Sequence, residues 1–534
     1  MRNIILSAIV AASVTTAMAQ ARLNLDTYAG AQLSTTDLNG TARYVGMGGA
    51  MEALGADLST MSTNPAGIGM FRRNSVSASF GLNVQGEGKN FADGSKTNAS
   101  FDQIGVVLSS RTGLDSYVNF GFNFHKSRNF DYVLSAANAA VNGSSLHRQT
   151  YVKALRGDLD VNASNALIYP YRESQIDQLN YRIIDQYDNR GKYVESISPR
   201  GIGYAFDRAH TGYIGEYDFN LSGNIHNLVY LGLTVGIHDV HYNGYSEYTE
   251  HFEPLADYPN LVYAKYTDDQ KITGTGYDIK AGIIVRPIEE SPFRIGASVA
   301  TPTWYKLRAS NYSSISDQYA KVDDISDDIE FRMDTPWTFG LSAGYTVGAE
   351  WALGLSYEYA DYGAIDMRSI SDRYYDRWSD SYRYDSERDN VMKRLTEQTL
   401  KGVSTLKMGV EYRPEPTMAI RLGYNYVSSM FEENAVRDQT VDSPGVYMAS
   451  TSDYTNWEDT HRVTAGLGLT FDRFRLDLAY QFSSTNGKFR PYQDGLTGTN
   501  TYNNGEAFTM TNSCSPVKVT NKRHQVLATL GYTF

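Results

Sequence analysis

The chain has 534 residues, with 48 Lys and Arg against 60 Asp and Glu, a formal net charge of −12 and one cysteine. That balance excludes a nucleic-acid footprint, which requires a basic surface, and the lone Cys514 excludes an internal disulfide or a cysteine-built metal centre. The 41 Tyr, 21 Phe and 46 Gly beside only 14 Pro suit many twisted strands with amphipathic aromatics at two interfaces. Length alone suggests about three domains, yet no linker or shift in composition divides the chain, and a single large barrel fits better.

At the N-terminus, Arg2, the apolar run from Ile4 to Val14 and Ala17-Met18-Ala19 before Gln20 read as an export signal over residues 1–19. The run is too short to span a bilayer as a helix, and no later segment approaches the roughly 18 apolar residues that a transmembrane helix needs. Any membrane crossing is therefore made by strands. Residues 20–73 are rich in Gly and Ala and carry Gly48-Gly49-Ala50 and Asn64-Pro65-Ala66-Gly67. They precede the strand pattern without sharing it and are expected to form a plug, or hatch, inside the lumen. Asp57 is placed to cap a short helix ending near Asn64, and Pro65 removes an N–H and biases Asn64 away from helical geometry. The Asn64 to Gly67 turn is expected to be the gating part of the plug.

From residue 74 to 534, about fourteen segments of about ten residues alternate apolar and polar side chains, the length and period of tilted membrane strands. In one of them Val229, Leu231, Leu233, Val235 and Ile237 share a face, and Tyr230, Gly232, Thr234, Gly236 and His238 share the other. Phe474, Leu476, Leu478, Tyr480 and Phe482 repeat this outward set against Arg475, Asp477, Ala479, Gln481 and Ser483. Met418, Ile420, Leu422, Tyr424 and Tyr426 repeat it again against Arg421 and Asn425. A soluble sandwich also alternates, but its inward face is apolar and does not collect Arg, Asp, Lys and Glu. The mean hydropathy of −0.41 agrees with strands that give only every second residue to lipid.

The connections alternate between two classes. Short turns include Asn227, Arg413-Pro414-Glu415-Pro416 and Asp472-Arg473, whereas 85–100, 127–212, 241–274, 301–331, 362–403, 429–459 and 485–522 read as long loops. Short periplasmic turns and long extracellular loops are the asymmetry of an outer-membrane barrel. Tyr151 to Leu159 and Glu173 to Tyr187 read as mixed helix within the longest loop. Trp304, Trp337 and Trp351 are expected in the interfacial girdles, and Tyr532 and Phe534 share one face of the last strand.

Lys407, Glu411, Arg421, Asp477, Glu350 and Glu358 are read as lumen charges, either a ligand path or a salt-bridged wall that anchors the plug. The nearest histidine pair, His238 and His241, falls on opposite faces of a strand, so both are expected to be ordinary loop-edge side chains. No metal site, cofactor or nucleotide motif is expected, and no GxSxG or HExxH pattern points to an enzyme.

Gly48-Gly49-Ala50, Ala56-Asp57-Leu58-Ser59 and Asn64-Pro65-Ala66-Gly67-Ile68 resemble the hatch of the FadL-type outer-membrane transporters of long-chain fatty acids and other hydrophobic compounds. The stretch Gly276 to Pro287, with Phe293 to Ser298 and Thr301-Pro302, is similar to that family's mid-barrel hairpin. Asp334-Thr335-Pro336 with Trp351 to Leu355 is similar to the hairpin after it. The glycine-rich segment also resembles members found in Bacteroidota. The resemblance implies an all-β, fourteen-stranded transmembrane antiparallel barrel in the outer membrane of a Gram-negative bacterium. Passive uptake would proceed by loop capture, hatch movement and lateral release. Implied partners are a fatty-acid-like ligand, outer-membrane lipid and the barrel-assembly machinery acting through Phe534. The family also implies two alternatives, a partner-binding barrel of a secretion or surface assembly and a haem-uptake protein.

Overall fold

The structure is a computed structural model that describes residues 25–534 apart from 160–173, 189, 191, 319–321, 379 and 502–505. The expected export signal and the first residues of the plug lie outside the described residues.

Among the described residues, fourteen antiparallel strands form the barrel wall. They are β1 Ser75–Gln85, β2 Thr97–Arg111, β3 in two segments Tyr117–Asn129 and Tyr132–Asn138, β4 Gly201–Ile225, β5 Val229–Phe252 and β6 Tyr263–Val285. Four interrupted strands follow: β7 Arg294–Ala300 and Trp304–Asp317, β8 Val322–Asp334 and Thr338–Val347, β9 Trp351–Asp361 and Asp366–Asp376, β10 Ser381–Arg388 and Gly402–Glu415. The wall ends with β11 Met418–Val427, β12 Tyr454–Phe471, β13 Phe474–Arg490 and β14 Val517–Thr533. β14 pairs with β1 from Thr533 opposite Ser75 to Arg523 opposite Gln85, so the sheet closes on itself.

The alternation in the sequence is what orients each strand. Leu231, Leu233, Val235 and Ile237 of β5 are exposed, whereas Tyr230, Thr234 and His238 are buried. Ile420 and Leu422 of β11 point outward while Arg421 and Asn425 are buried. Exposed large apolar side chains recur on strand after strand, from Phe80 and Leu82 on β1 to Val526 and Leu530 on β14. A belt of this extent has no aqueous counterpart in a soluble monomer; it is the lipid-facing band of a transmembrane barrel. No helix is long and apolar enough to cross a membrane among the described residues.

Several expected long loops are instead wall. The 241–274 connection is continued strand, because β5 and β6 stay paired out to His251 opposite Tyr263. In 301–331 and 362–403 the chain forms two further hairpins, in which Trp304–Asp317 pairs with Val322–Asp334 and Asp366–Asp376 with Ser381–Arg388. Their polar, Tyr-rich alternation lacks the apolar outer face of a lipid-facing strand, so the lipid criterion misses it. The turn placed at Arg413 to Pro416 is shorter than expected. β10 runs through Glu415, with a bulge between Tyr412 and Glu415 that absorbs Pro414, which has no N–H to give a ladder. Trp351 stacks on Tyr412 at 4.3 Å, and Trp304 lies 5.3 Å from the Tyr277 ring. Trp304 and Trp337 do not end their strands; they flank interruptions within β7 and β8.

Residues 25–71 occupy the lumen. Asp26 caps α1 Thr27–Ser34 by accepting from Ala29 N, and Thr41 caps α2 Ala42–Gly46 by accepting from Tyr44 N. Two 3₁₀ turns follow, Leu58–Ser62 and Pro65–Met70. Above the wall, α3 Leu146–Arg156 and α4 Gln175–Ile184 bury an apolar cluster against the raised strands, and α5 Asn390–Thr399 packs beside α1. The expected mixed-helix stretches thus hold two capped helices among the described residues, and Asp185–Tyr187 at the end of the second stretch is instead a short strand paired with Tyr193–Ser196.

Candidate functional site: the lumen cavity

The plug is seated by close backbone approach. A Cβ on Gly423 of β11 would lie 2.2 Å from Gly48 N, on Gly409 of β10 2.3 Å from Met47 O, and on Gly354 of β9 1.9 Å from Ala50 O. Each of these wall glycines faces inward, and only hydrogen at Cα admits the plug backbone there. The Asn64 to Gly67 turn is held the same way. A Cβ on Gly232 would meet Pro65 C at 2.3 Å and one on Gly282 would meet Asn64 Oδ1 at 2.1 Å. Asn64 accepts from Ala66 N and caps the Pro65–Met70 turn, with Pro65, Ala66 and Gly67 all buried. Asp57 accepts from Ser59 N and from Thr41 Oγ1, joining the Leu58–Ser62 turn to the α2 cap.

The lumen charges tie plug to wall in two networks. Arg43 of the plug reaches Glu411 at 3.1 Å; Glu411 pairs with Arg421 at 2.6 Å, and Arg421 with Asp477 at 2.7 Å. Glu52 of the plug pairs with Lys407 at 2.8 Å, which also holds Glu358. Lys407 and Glu411 thus pair directly with the plug, and Arg421 and Asp477 extend the Glu411 contact within the wall. Glu350 does not belong with them: it is exposed in the tight turn that joins β8 to β9, where Gly348 supplies the positive φ.

Above the anchored part, a cavity of about 540 Å³ lies between residues 25–39 of the plug, the inner wall and the connection from 428 to 453. Its lining includes Leu33, Phe130, Tyr305, Ile329, Met430 and Phe431. Two charged poles also face it. At the first, Arg128, Arg462 and Arg523 converge on Asp37 of the plug. Asp37 accepts from Arg128 Nη1 at 3.0 Å and from Asn129 N at 2.9 Å, with Arg523 Nη1 at 3.8 Å. Arg462 donates to Asn425 Oδ1 at 2.8 Å and makes no salt bridge among the described residues. Arg128 Nε is buried without a hydrogen bond. Burial alone would raise the Asp37 carboxyl, but Arg128, Arg523 and Arg462 outweigh it and hold the group below its ordinary value.

The second pole gathers His125, Glu216, His238, Asp278 and Lys280 on β3 to β6. His238 is thus not a loop-edge side chain: β5 continues past it, and its inward register buries it in this group, while His241 points outward and pairs with Asp239 at 2.8 Å. The sequence marked neither pole: the first joins the plug to β3, β12 and β14, far apart in the chain, and the second depends on the register between β3, β4, β5 and β6. The inward parity of His238, Glu216 and Lys280 was the available signal. Cys514 is buried and free, donates to Ser515 O, and has its thiol pushed up by burial.

No model of a protein family matches the chain, and no curated protein matches it. Among solved structures, it is similar to the Ralstonia pickettii toluene transporter TbuX, with a TM-score of 0.47 and 12% identity over 93% of this chain and 99% of that one. A Pseudomonas aeruginosa FadL homologue gives 0.49 and 11% over 94% and 100%. The Pseudomonas putida toluene transporter TodX gives 0.46 and 11% over 93% and 99%.

Proposed function

We propose that the protein is an outer-membrane barrel for the passive uptake of hydrophobic small molecules, with long-chain, fatty-acid-like amphiphiles as its ligand class. The observation that carries this reading is that one cavity brings apolar side chains such as Leu33, Phe130, Ile329 and Phe431 together with the Arg128, Arg462 and Arg523 pole. The volume falls within the roughly 300–1,000 Å³ of small-molecule sites. An alkyl chain gains about 0.8 kcal/mol per buried CH₂, and a carboxylate gains short, charge-assisted bonds from guanidinium. The cavity also favours transport over a partner-binding barrel, which needs no ligand space.

Asp37 occupies the pole that a ligand carboxylate would take. An arriving carboxylate competes with it for Arg128 and Arg523, and loss of those contacts frees residues 25–39. The Asn64 to Gly67 turn, seated against Gly232 and Gly282, stays in place, so gating belongs to the first part of the plug. Lateral release is favoured where β7 and β8 are interrupted side by side. The cavity lining reaches Ala300, Thr301, Thr303, Thr335 and Pro336 there. Pro302 and Pro336 cannot donate to a ladder, and the strands are joined by Thr303 N to Thr335 Oγ1 at 2.8 Å and Thr335 N to Thr303 O at 3.2 Å.

Mass spectrometry of ligand extracted from purified, folded protein, beside an empty-detergent control, tests the reading. A retained or exchangeable long-chain carboxylate is the expected result. Failure to bind any apolar ligand, together with unchanged permeability to hydrophobic probes after deletion of residues 20–73, would overturn it.

A further inference from the structure

The second pole offers more donor atoms than its contacts use. Strand register places His125 of β3 opposite Glu216 of β4, and Glu216 opposite His238 of β5. Such directly opposed side chains start about 5 Å apart at Cβ. Asp218 lies two residues on from Glu216, and Asp278 and Lys280 enter from β6; all six side chains are buried. Lys280 Nζ lies 2.7 Å from both Glu216 Oε1 and Asp278 Oδ1 and 3.5 Å from Asp218 Oδ1. Three carboxylates against one ammonium leave an excess of two negative charges when both imidazoles are neutral. Buried charge of that size calls for a partner.

The other carboxylate oxygens face the imidazoles. His238 Nε2 lies 3.1 Å from Asp278 Oδ2, a contact that places the proton on Nε2 and leaves Nδ1 a bare acceptor. That Nδ1 makes no hydrogen bond and looks at Glu216 Oε2 across 3.9 Å. His125 Nε2 lies 3.6 Å from the same oxygen, and its Nδ1, also without a hydrogen bond, is 3.7 Å from Asp218 Oδ2. Neither Asp218 oxygen accepts a hydrogen bond. Two acceptors facing each other repel unless a cation lies between them. Two ligands on one ion with bonds of about 2.0–2.2 Å stand roughly 3–3.6 Å apart, close to the separations here. The donor atoms form two overlapping triads, His125 with Glu216 and Asp218, and Glu216 with His238 and Asp278, each within 4.8 Å.

We propose that this pole binds a divalent transition-metal ion of the zinc type. Glu216 is its central ligand and the two imidazoles flank it, with Asp218 in reach. Asp278 orients His238 from behind, the usual task of a carboxylate paired with a ligating histidine, and Lys280 balances the remaining carboxylate oxygens on the far side. Mixed imidazole and carboxylate donors suit zinc, cobalt, nickel or manganese better than calcium or magnesium. Access is through the lumen, since His125, Glu216 and His238 line the cavity. Gly236 leaves the room the group needs: a Cβ there would lie 2.3 Å from Asp278 Oδ1 and 2.8 Å from Lys280 Nζ. The site is independent of which amphiphile the cavity takes.

The test uses the full chain in detergent, stripped with chelator and checked for folding by heat-modifiable gel migration. Titration with Co²⁺ followed by visible d–d absorption, then displacement by Zn²⁺ with elemental analysis after desalting, is expected to show one tightly held equivalent. His238→Gln and Glu216→Gln should lose stoichiometric retention, Asp278→Asn should weaken binding about 10–100-fold, and the exposed His461→Gln should match the parent. If a Glu216 variant does not fold, His125→Gln and His238→Gln carry the comparison. The proposal is overturned if the folded parent retains no more metal than His238→Gln, or if all variants bind alike.

Discussion

Two parts of the same plug are held in different ways. From Thr41 to Phe71 the segment is keyed to the wall by backbone: Ala42, Val45, Met47, Ala50, Met51 and Ile68 are fully buried. Their neighbours include inward glycines that no other residue could replace. From Leu25 to Asn39 the segment is held mainly by side-chain contacts. Asp26 pairs with Arg437, Tyr28 Oη donates to Asn456 Oδ1 at 2.8 Å, Asp37 pairs with Arg128, and Asn39 Nδ2 donates to Asp102 Oδ1 at 3.0 Å. A backbone seat with no void has no partly open state of low energy. Side-chain contacts can be exchanged one at a time for ligand or water. On the uptake mechanism proposed above, the first part of the plug is the part that moves and the second the part that stays.

The largest expected effect comes from breaking the fixed part. In Gly423→Val the new side chain collides with Gly48, and the plug must leave its seat while the strand itself tolerates valine. Conductance of reconstituted barrels to small polar solutes should rise at least about tenfold, on the scale of a lost 1.4 kcal/mol of closure, with residues 41–71 newly open to protease. A second, intermediate effect sharpens the chemistry of the moving part. Arg128→Gln with Arg462→Gln should weaken binding of a long-chain carboxylate about 10–100-fold, corresponding to charged hydrogen bonds of about 1.5–3 kcal/mol. The matching long-chain alcohol should bind nearly as before, measured by displacement of a fluorescent fatty acid.

The smallest effect isolates the latch. Asp37→Asn should loosen residues 25–39 by about 1 kcal/mol, seen as faster hydrogen exchange there and unchanged exchange at residues 41–71. Because the folded Asp37 carboxyl is held below its ordinary value, its contribution is complete above about pH 3.9. It is lost as the pH falls through the lower folded value. The parent should then approach the Asn variant in acid, whereas the variant shows no such step. Equal loosening of both parts of the plug would contradict the division between them.

Much of the wall was readable because a barrel strand states its orientation residue by residue. Leu231, Leu233 and Val235 against Tyr230 and Thr234 need no partner strand to be interpreted, and Arg421 between Ile420 and Leu422 has only one interior to face. The raised hairpins above the membrane were not readable as strand, since a sheet wet on both sides gives up the apolar parity on which the reading rests. Asp57 and Asn64 were placed by local capping chemistry, which depends on three or four neighbours. The seat of Asn64 to Gly67 was not, because it is formed by Gly232 and Gly282, more than 160 residues away.

The sequence by itself determined an all-β barrel and its inward and outward faces, and with them the inward side of Lys407, Glu411, Arg421 and Asp477, since each follows from a period of two along single strands. Only the tertiary structure decided which part of the plug is seated, and that Arg128, Arg462 and Arg523 meet at one pole and His125, Glu216 and His238 at another. Register between neighbouring strands fixes which inward side chains stand side by side. That register is set by closure of the whole sheet around the plug, a condition that no single segment of the chain contains.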